Sequence, residues 1–215
     1  MKDRTVVVFD LDDTLCSELE FLQSAFKEIA SSVDSKNPLL YDQMINWYKL
    51  EEDVFTHIIE VYPSNTKENL INQYRNHFPS FKNNKISIFL ENLKDQGYIL
   101  GLITDGRSVT QRNKLKSLSI ENLFDKIIIS EEYGSDKTDE RNFFAFHEFN
   151  ADRYFYIGDN PTKDFYHPNR LRWNTICLIN SGNNIHSQDL QVPEEYSPKS
   201  YINKLSELIN IINLP

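Results

Sequence analysis

Two carboxylates stand two residues apart in the segment Val8-Phe9-Asp10-Leu11-Asp12-Asp13-Thr14-Leu15, straight after the apolar residues Val6 and Val7. A charge at the end of a buried strand is costly to desolvate unless it is paired or holds a metal. In an open parallel sheet, the carboxyl ends of the strands are where ligands bind. Asp10 and Asp12 therefore read as a metal-assisted catalytic pair, with Asp10 the candidate nucleophile. The plainer alternative is that Asp12 or Asp13 only caps a following helix.

Three further segments carry chemistry. In Leu102-Ile103-Thr104-Asp105-Gly106-Arg107 a strand runs out at Thr104 just before a helix begins at Ser108. A hydroxyl beside backbone N–H groups at a helix start makes an anion site. In Glu132-Tyr133-Gly134-Ser135-Asp136-Lys137 a lysine precedes another helix. Lys137 would neutralise a phosphate and keep a nucleophilic aspartate ionised. In Tyr156-Ile157-Gly158-Asp159-Asn160-Pro161-Thr162-Lys163-Asp164 a second strand ends in acidic residues. Magnesium takes oxygen ligands, often one or two carboxylates with phosphate and water, so Asp10 and Asp159 could share one ion.

These groups need a scaffold, and the hydrophobic pattern supplies one. Short apolar, β-branched runs at residues 5–9, 98–103, 126–129, 154–157 and 174–179 fit strands buried on both faces. Helical patterns lie between them, at 84–96, 108–118 and 140–149, the last with Phe143, Phe144, Phe146 and Phe149 on a core-facing side. Residues 200–212 read as an amphipathic terminal helix. The alternation predicts a parallel sheet with helices on both faces. Residues 17–78 break it with helical patterns alone. Their apolar faces centre on Phe26, Met44, Ile58 and Leu70, with breakers at Asn37-Pro38 and Pro63-Ser64-Asn65. A small all-helical cap over 17–79 is expected, on a core formed by 1–16 and 80–215. The polar stretch 181–198 reads as a surface loop or lid.

Composition sets the class. The chain has 215 residues and a net charge of −9, a poor general match for nucleic acid or anionic membrane. Cys16 and Cys177 form no CxxC pair and read as reduced thiols. The short apolar run after Met1-Lys2-Asp3-Arg4 reads as neither a signal peptide nor a membrane span, so a cytoplasmic location is the expectation.

Taken together, Asp-x-Asp-x-Thr, a strand-ending Thr, a Lys before a helix and Gly-Asp-x-x-x-x-Asp resemble the motifs of the haloacid dehalogenase superfamily. The helical insertion resembles that of its members with a cap after the first motif. The resemblance implies a doubly wound α/β core and Mg2+-dependent hydrolysis of a small phosphorylated metabolite. Asp10 would become an aspartyl-phosphate. Asp12 would be general acid, then base, and would lend the metal only its backbone carbonyl. Thr104 and the N–H groups of Asp105 and Gly106 would bind the phosphoryl group, with Lys137 neutralising charge. Asp10, Asp12 and Asp159 would hold the metal, and Asp164 would orient Lys137 or a metal-bound water. A carboxylate at Asp12 matches the phosphatases and phosphomutases, whereas dehalogenases and cation-pumping ATPases lack it. A phosphomutase, or a non-catalytic metabolite-binding protein, would keep the same motifs. One departure is Lys137-Thr138-Asp139-Glu140, where family members often read Lys-Pro-x-Pro. Cap residues Lys27, Trp47, Lys49, His57, Arg75 and His77, with Arg107 and Lys163 at the core, are candidates for substrate contact.

Overall fold

The run Thr5-Val6-Val7-Val8-Phe9 alternates its side chains between the two faces of a sheet and is wholly buried, which places it at the centre. In a computed structural model of the chain, which describes residues 3–82, 85–180, 182 and 184–213, this run is β1 (Thr5–Phe9). Four helices follow: α1 (Glu18–Val33), α2 (Leu40–Lys49), α3 (Val54–Val61) and α4 (Lys67–Asn76). Then come α5 (Ile86–Asp95), β2 (Ile99–Thr104), α6 (Ser108–Ser117), β3 (Lys126–Ile129), α7 (Ser130–Tyr133) and α8 (Arg141–Phe144). The chain closes with β4 (Arg153–Gly158), α9 (Pro161–Asp164), α10 (Tyr166–Arg170), β5 (Asn174–Leu178), β6 (Ser200–Ile202) and α11 (Leu208–Ile212).

The six strands form one parallel sheet in the order β3-β2-β1-β4-β5-β6. The order reverses between β1 and β4, the place where open α/β sheets bind ligands. Val7 and Phe9 face a core completed by Leu90, Leu93, Leu115 and Leu208; Val6 and Val8 face one completed by Phe143, Phe146, Phe165 and Trp173. Helices thus cover both faces of a doubly wound sheet. Phe146 lies so close to Gly101 on β2 that a Cβ there would sit 2.2 Å from its ring.

The helical stretch packs a separate core of Leu22, Phe26, Ile29, Leu40, Met44, Ile58 and Leu70. Side chains start its helices: Ser17 accepts from Glu20 N, Asp53 from Thr56 N and Thr66 from Asn69 N. No described helix is long and apolar enough to cross a membrane.

Two expected helices differ. Residues 200–212 are not one helix: Ser200–Ile202 pairs with β5 as a sixth strand, and the helix is confined to α11 beyond a 3-10 turn. An unpaired edge on β5 takes up this segment, overriding its helical spacing. Residues 140–149 split into α8 and a 3-10 turn at Ala145–Phe149, which buries Phe143 and Phe146 and leaves Phe144 59% exposed. Of the expected elements, Met1, Lys2, Asn83, Asn84, Ser181, Asn183, Leu214 and Pro215 lie outside the described residues.

Candidate active site

Asp10, Thr104 and Asp159 sit where strands give way to turns, whereas Lys137 lies beyond α7 and Asp164 ends α9. Asp10 follows β1, and its backbone N–H donates to Ile157 O on β4 at 2.8 Å, so the first strand carries its pairing into the site. Beyond it the chain turns tightly. Cys16 N donates to Leu11 O (3.1 Å) and Asp13 N to Cys16 O (2.7 Å), with Asp13 in the left-handed region at φ 54°. Ser17 caps α1 and Asp13 adds to its first turn, its carboxylate accepting from Glu18 N at 3.0 Å; Asp10 and Asp12 take no part in starting the helix.

Asp10, Lys137 and Asp164 form a buried ion triad. Lys137 Nζ is 2.6 Å from Asp10 Oδ1 and 2.8 Å from Asp164 Oδ1. Asp164 is completely buried, and Asp10 and Lys137 are each 5% exposed. Asp164 also accepts from Tyr156 Oη (3.1 Å) and from Asn160 N (2.9 Å). Gly158 makes that approach possible, since a Cβ there would lie 2.4 Å from Asp164 Oδ2. Burial pushes the Asp10 carboxyl well above the ordinary range, against the pull of Lys137. Burial opposes the charge on Lys137 too, yet Asp10 and Asp164 outweigh it and hold the ammonium well above the usual lysine value.

Asp159, one residue past β4, stands beside this triad. One carboxylate oxygen from each of Asp10, Asp159 and Asp164 lies within 4.8 Å of the others. Burial, then the charge of Asp164, pushes Asp159 up to about 7. The donor set fits a hard divalent cation, because carboxylates this crowded and this desolvated are relieved by one. Asp164 is already committed to Lys137, Tyr156 and Asn160, so Asp10 and Asp159 are the members able to turn oxygens to an ion.

Asp12 faces the same cavity, which holds about 160 Å3 and is also lined by Thr104, Asp105, Glu18, Lys163 and His186. Two residues of α6 grip its carboxylate. Lys114 Nζ lies 2.6 Å from Oδ1, and Gln111 Nε2 donates to Oδ2 at 2.9 Å. Gln111 Nε2 also reaches Thr104 Oγ1 (2.6 Å) and Asp105 O (3.1 Å). The hydrophobic pattern gave no hint of these two residues. Their signal is spacing alone: a Gln and a Lys three apart on the helix that follows Thr104, hence on one face.

The structure brings Asp10, Asp12, Thr104, Asp105, Lys137, Asp159 and Asp164 together around the cavity. Gly106 is not among its lining residues, and its N–H donates to Ser130 Oγ at 2.9 Å. Asp105 Oδ1 accepts from Lys137 N at 3.1 Å, tying the Thr104 turn to the lysine turn. Of the other candidates, Lys163 lines the cavity. Arg107 pairs with Glu131 at 2.6 Å. His77 is buried between Ser24 and Glu28. His57 stacks on Trp47 and pairs with Glu52. Glu18 and His186, 3.8 Å apart, line the mouth instead. A larger groove of about 1070 Å3 adjoins at Asp13 but is lined by none of Asp10, Asp12, Asp159 and Asp164.

The family model described as haloacid dehalogenase-like hydrolase matches residues 7–175. A glyceraldehyde 3-phosphate phosphatase of Methanocaldococcus jannaschii is 30% identical, over 96% of each chain. A protein of the same name from Methanothermobacter thermautotrophicus is 27% identical, over 64% of this chain and 67% of its own. Among solved structures, the HAD-hydrolase YfnB of Bacillus subtilis, bound to magnesium, superposes with a TM-score of 0.68 at 20% identity over the full length of both chains. A 2-haloacid dehalogenase of Pseudomonas syringae superposes with a TM-score of 0.60 at 20% identity, over 97% of this chain and 98% of its own. At such identities these structures speak to the fold.

Proposed function

This chain belongs to the haloacid dehalogenase-like hydrolase family and is a phosphatase; we propose that it hydrolyses a small phosphomonoester of the triose-phosphate kind through an aspartyl-phosphate on Asp10, with Mg2+ as its cofactor. The observation that carries this reading is the buried contact of Asp10 with Lys137 beside Asp159, with Asp12 opening onto the same cavity.

Asp10 is held at one end of the cavity by Lys137, which leaves it an oxygen to attack phosphorus in line with the departing alkoxide. Thr104 Oγ1 and the ammonium of Lys137 take charge on the phosphoryl oxygens. Asp12 protonates the leaving oxygen, then removes a proton from the water that releases phosphate. Asp10, Asp159 and the backbone carbonyl of Asp12 would hold Mg2+, whose positive charge screens the phosphate from the carboxylate that attacks it. Asp164 keeps Lys137 aimed at Asp10. The helical stretch, residues 17–79, acts as a cap that excludes water and bulky substrates. The small cavity supports a metabolite rather than a polymer as substrate, and the names of the relatives support a triose phosphate.

The test is a panel of phosphorylated metabolites, glyceraldehyde 3-phosphate among them, with and without Mg2+. Release of phosphate that requires Mg2+ and favours a small phosphomonoester is expected. No release from any member, nor from an aryl phosphate, would overturn the reading.

A further inference from the structure

Asp12, which gives and takes a proton in the proposed reaction, needs its carboxylate held in place. The Cys16 thiol reaches Asp12 Oδ1 at 3.8 Å, and the two nitrogen donors that grip the carboxylate come from one helix face. Lys114 and Gln111 lie one turn apart on α6, 3% and 1% exposed. Lys114 Nζ contacts Asp12 Oδ1 at 2.6 Å and lies 4.6 Å from the centre of the Phe21 ring on α1. Gln111 Nε2 donates to Asp12 Oδ2 and is within reach of Thr104 Oγ1, so one amide touches both the acid–base carboxylate and the phosphate-binding hydroxyl. A buried ion pair adds little net stability, since desolvation offsets the attraction. Holding a lysine here is better explained by what it positions than by what it stabilises.

We propose that Lys114 and Gln111 are positioning residues for the acid–base step, forming a cradle that fixes the Asp12 carboxylate and couples its placement to Thr104. The inference rests on the phosphatase reading of the site. In the first half-reaction a bond forms between Asp10 and phosphorus while the bond to the leaving oxygen breaks. That oxygen takes the Asp12 proton, and the Asp12 carboxylate settles against Lys114. In the second half-reaction water attacks phosphorus, the Asp10–phosphorus bond breaks, and Asp12 takes the proton of the water. Oδ1 and Oδ2 are both engaged at rest, so whichever oxygen carries the proton leaves its donor and returns to it once in each cycle.

The two roles separate by leaving group. An alkyl phosphate needs a proton on its leaving oxygen, whereas p-nitrophenyl phosphate does not. The specificity constant kcat/KM reports the half-reaction in which the leaving group departs. With Mg2+ present, Lys114→Met is expected to lower kcat/KM on glycerol 3-phosphate by about 10²-fold, the lower end of what general acid catalysis contributes. On p-nitrophenyl phosphate the loss should be several-fold smaller. Lys114→Arg, which keeps the charge, should recover part of the alkyl activity. In an Asp12→Asn background the further change Lys114→Met should cost less than about threefold, because residues acting through one another are not additive. The double variant also removes both charges together, so it folds without an unpaired carboxylate. Equal losses on the two substrates, or a full further loss in the Asp12→Asn background, would overturn the inference while leaving the phosphatase reading intact. A wild-type protein inert toward both substrates and toward every member of the metabolite panel would overturn that reading and this inference with it.

Discussion

Lys137→Met removes the cation on which two buried carboxylates depend while keeping side-chain length. Lys137 Nζ lies 2.6 Å from Asp10 and 2.8 Å from Asp164, with all three residues almost or wholly buried. At an effective dielectric of about 20, each contact is worth roughly 6 kcal/mol of gross attraction, most of it offset by desolvation. Removing one partner of such a pair leaves the other as an uncompensated buried charge, at a cost of about 3–5 kcal/mol. For a domain of this size, about 2–4 °C of Tm per kcal/mol gives a fall of roughly 6–20 °C. The deficit has a sign in pH. Burial already raises Asp10 well above its ordinary value against the pull of Lys137, so without the lysine it rises further. A proton then substitutes for the lost ammonium in acid, and the deficit grows as pH rises through the range where folded Asp10 ionises. Thermal melts of metal-free protein across pH, with and without MgCl2, measure this. A variant whose Tm near neutral to mildly alkaline pH matches wild type within about 2 °C would refute the claim that Lys137 neutralises this cluster.

Other perturbations test neighbouring contacts. Gly158→Ala places a Cβ 2.4 Å from Asp164 Oδ2, on a carboxylate that Lys137 and Tyr156 hold by Oδ1 and Asn160 N by Oδ2. A loss of about 1–3 kcal/mol in denaturant melts is expected, with a lower kcat, and wild-type values for both would contradict the packing described. Asp159 is raised to about 7 by burial and by Asp164, against an ordinary value of 3.8, so the folded metal-free protein binds an extra proton between those values. Its stability contribution falls as pH rises through that window, and Mg2+, which needs ionised ligands, should raise Tm more near pH 8 than near pH 5.5. Melts showing an equal or larger Mg2+ shift in acid would count against Asp159 as a ligand. Glu18 lines the cavity, where a negative charge would repel a second anionic group on a substrate. Glu18→Gln should lower KM for carboxylate-bearing phosphomonoesters by about three- to tenfold, worth roughly 1 kcal/mol of relieved repulsion, relative to uncharged ones. An unchanged KM ratio would remove Glu18 from substrate selection.

Much of the fold was legible because strands buried on both faces leave long apolar runs, and those runs stop where the chemistry starts. Asp10, Thr104 and Asp159 could be placed at strand ends from that alone. The helices of residues 18–76 were legible through their 3.6-residue spacing and the breakers Asn37-Pro38 and Pro63-Ser64-Asn65 between them. Three features were not. β6 is only three residues long, too short for any period to distinguish it from the first turn of a helix. Phe144 shares the spacing of its aromatic neighbours but points outward, because α8 gives way at Ala145 to a 3-10 turn with a different period. Lys114 and Gln111 look like solvent-facing residues on a polar helix. Only the tertiary placement of α6 against the Asp10–Cys16 turn buries them, and no local pattern encodes that.

In the proposed reaction the phosphoryl group passes through Asp10. Acid quenching of the protein during turnover of a radiolabelled phosphomonoester, followed by counting label in the precipitated chain, tests it directly. Hydroxylamine-sensitive label on the peptide containing Asp10, absent from Asp10→Asn, is the expected result. Full turnover by Asp10→Asn, or label that accumulates on another residue, would contradict it.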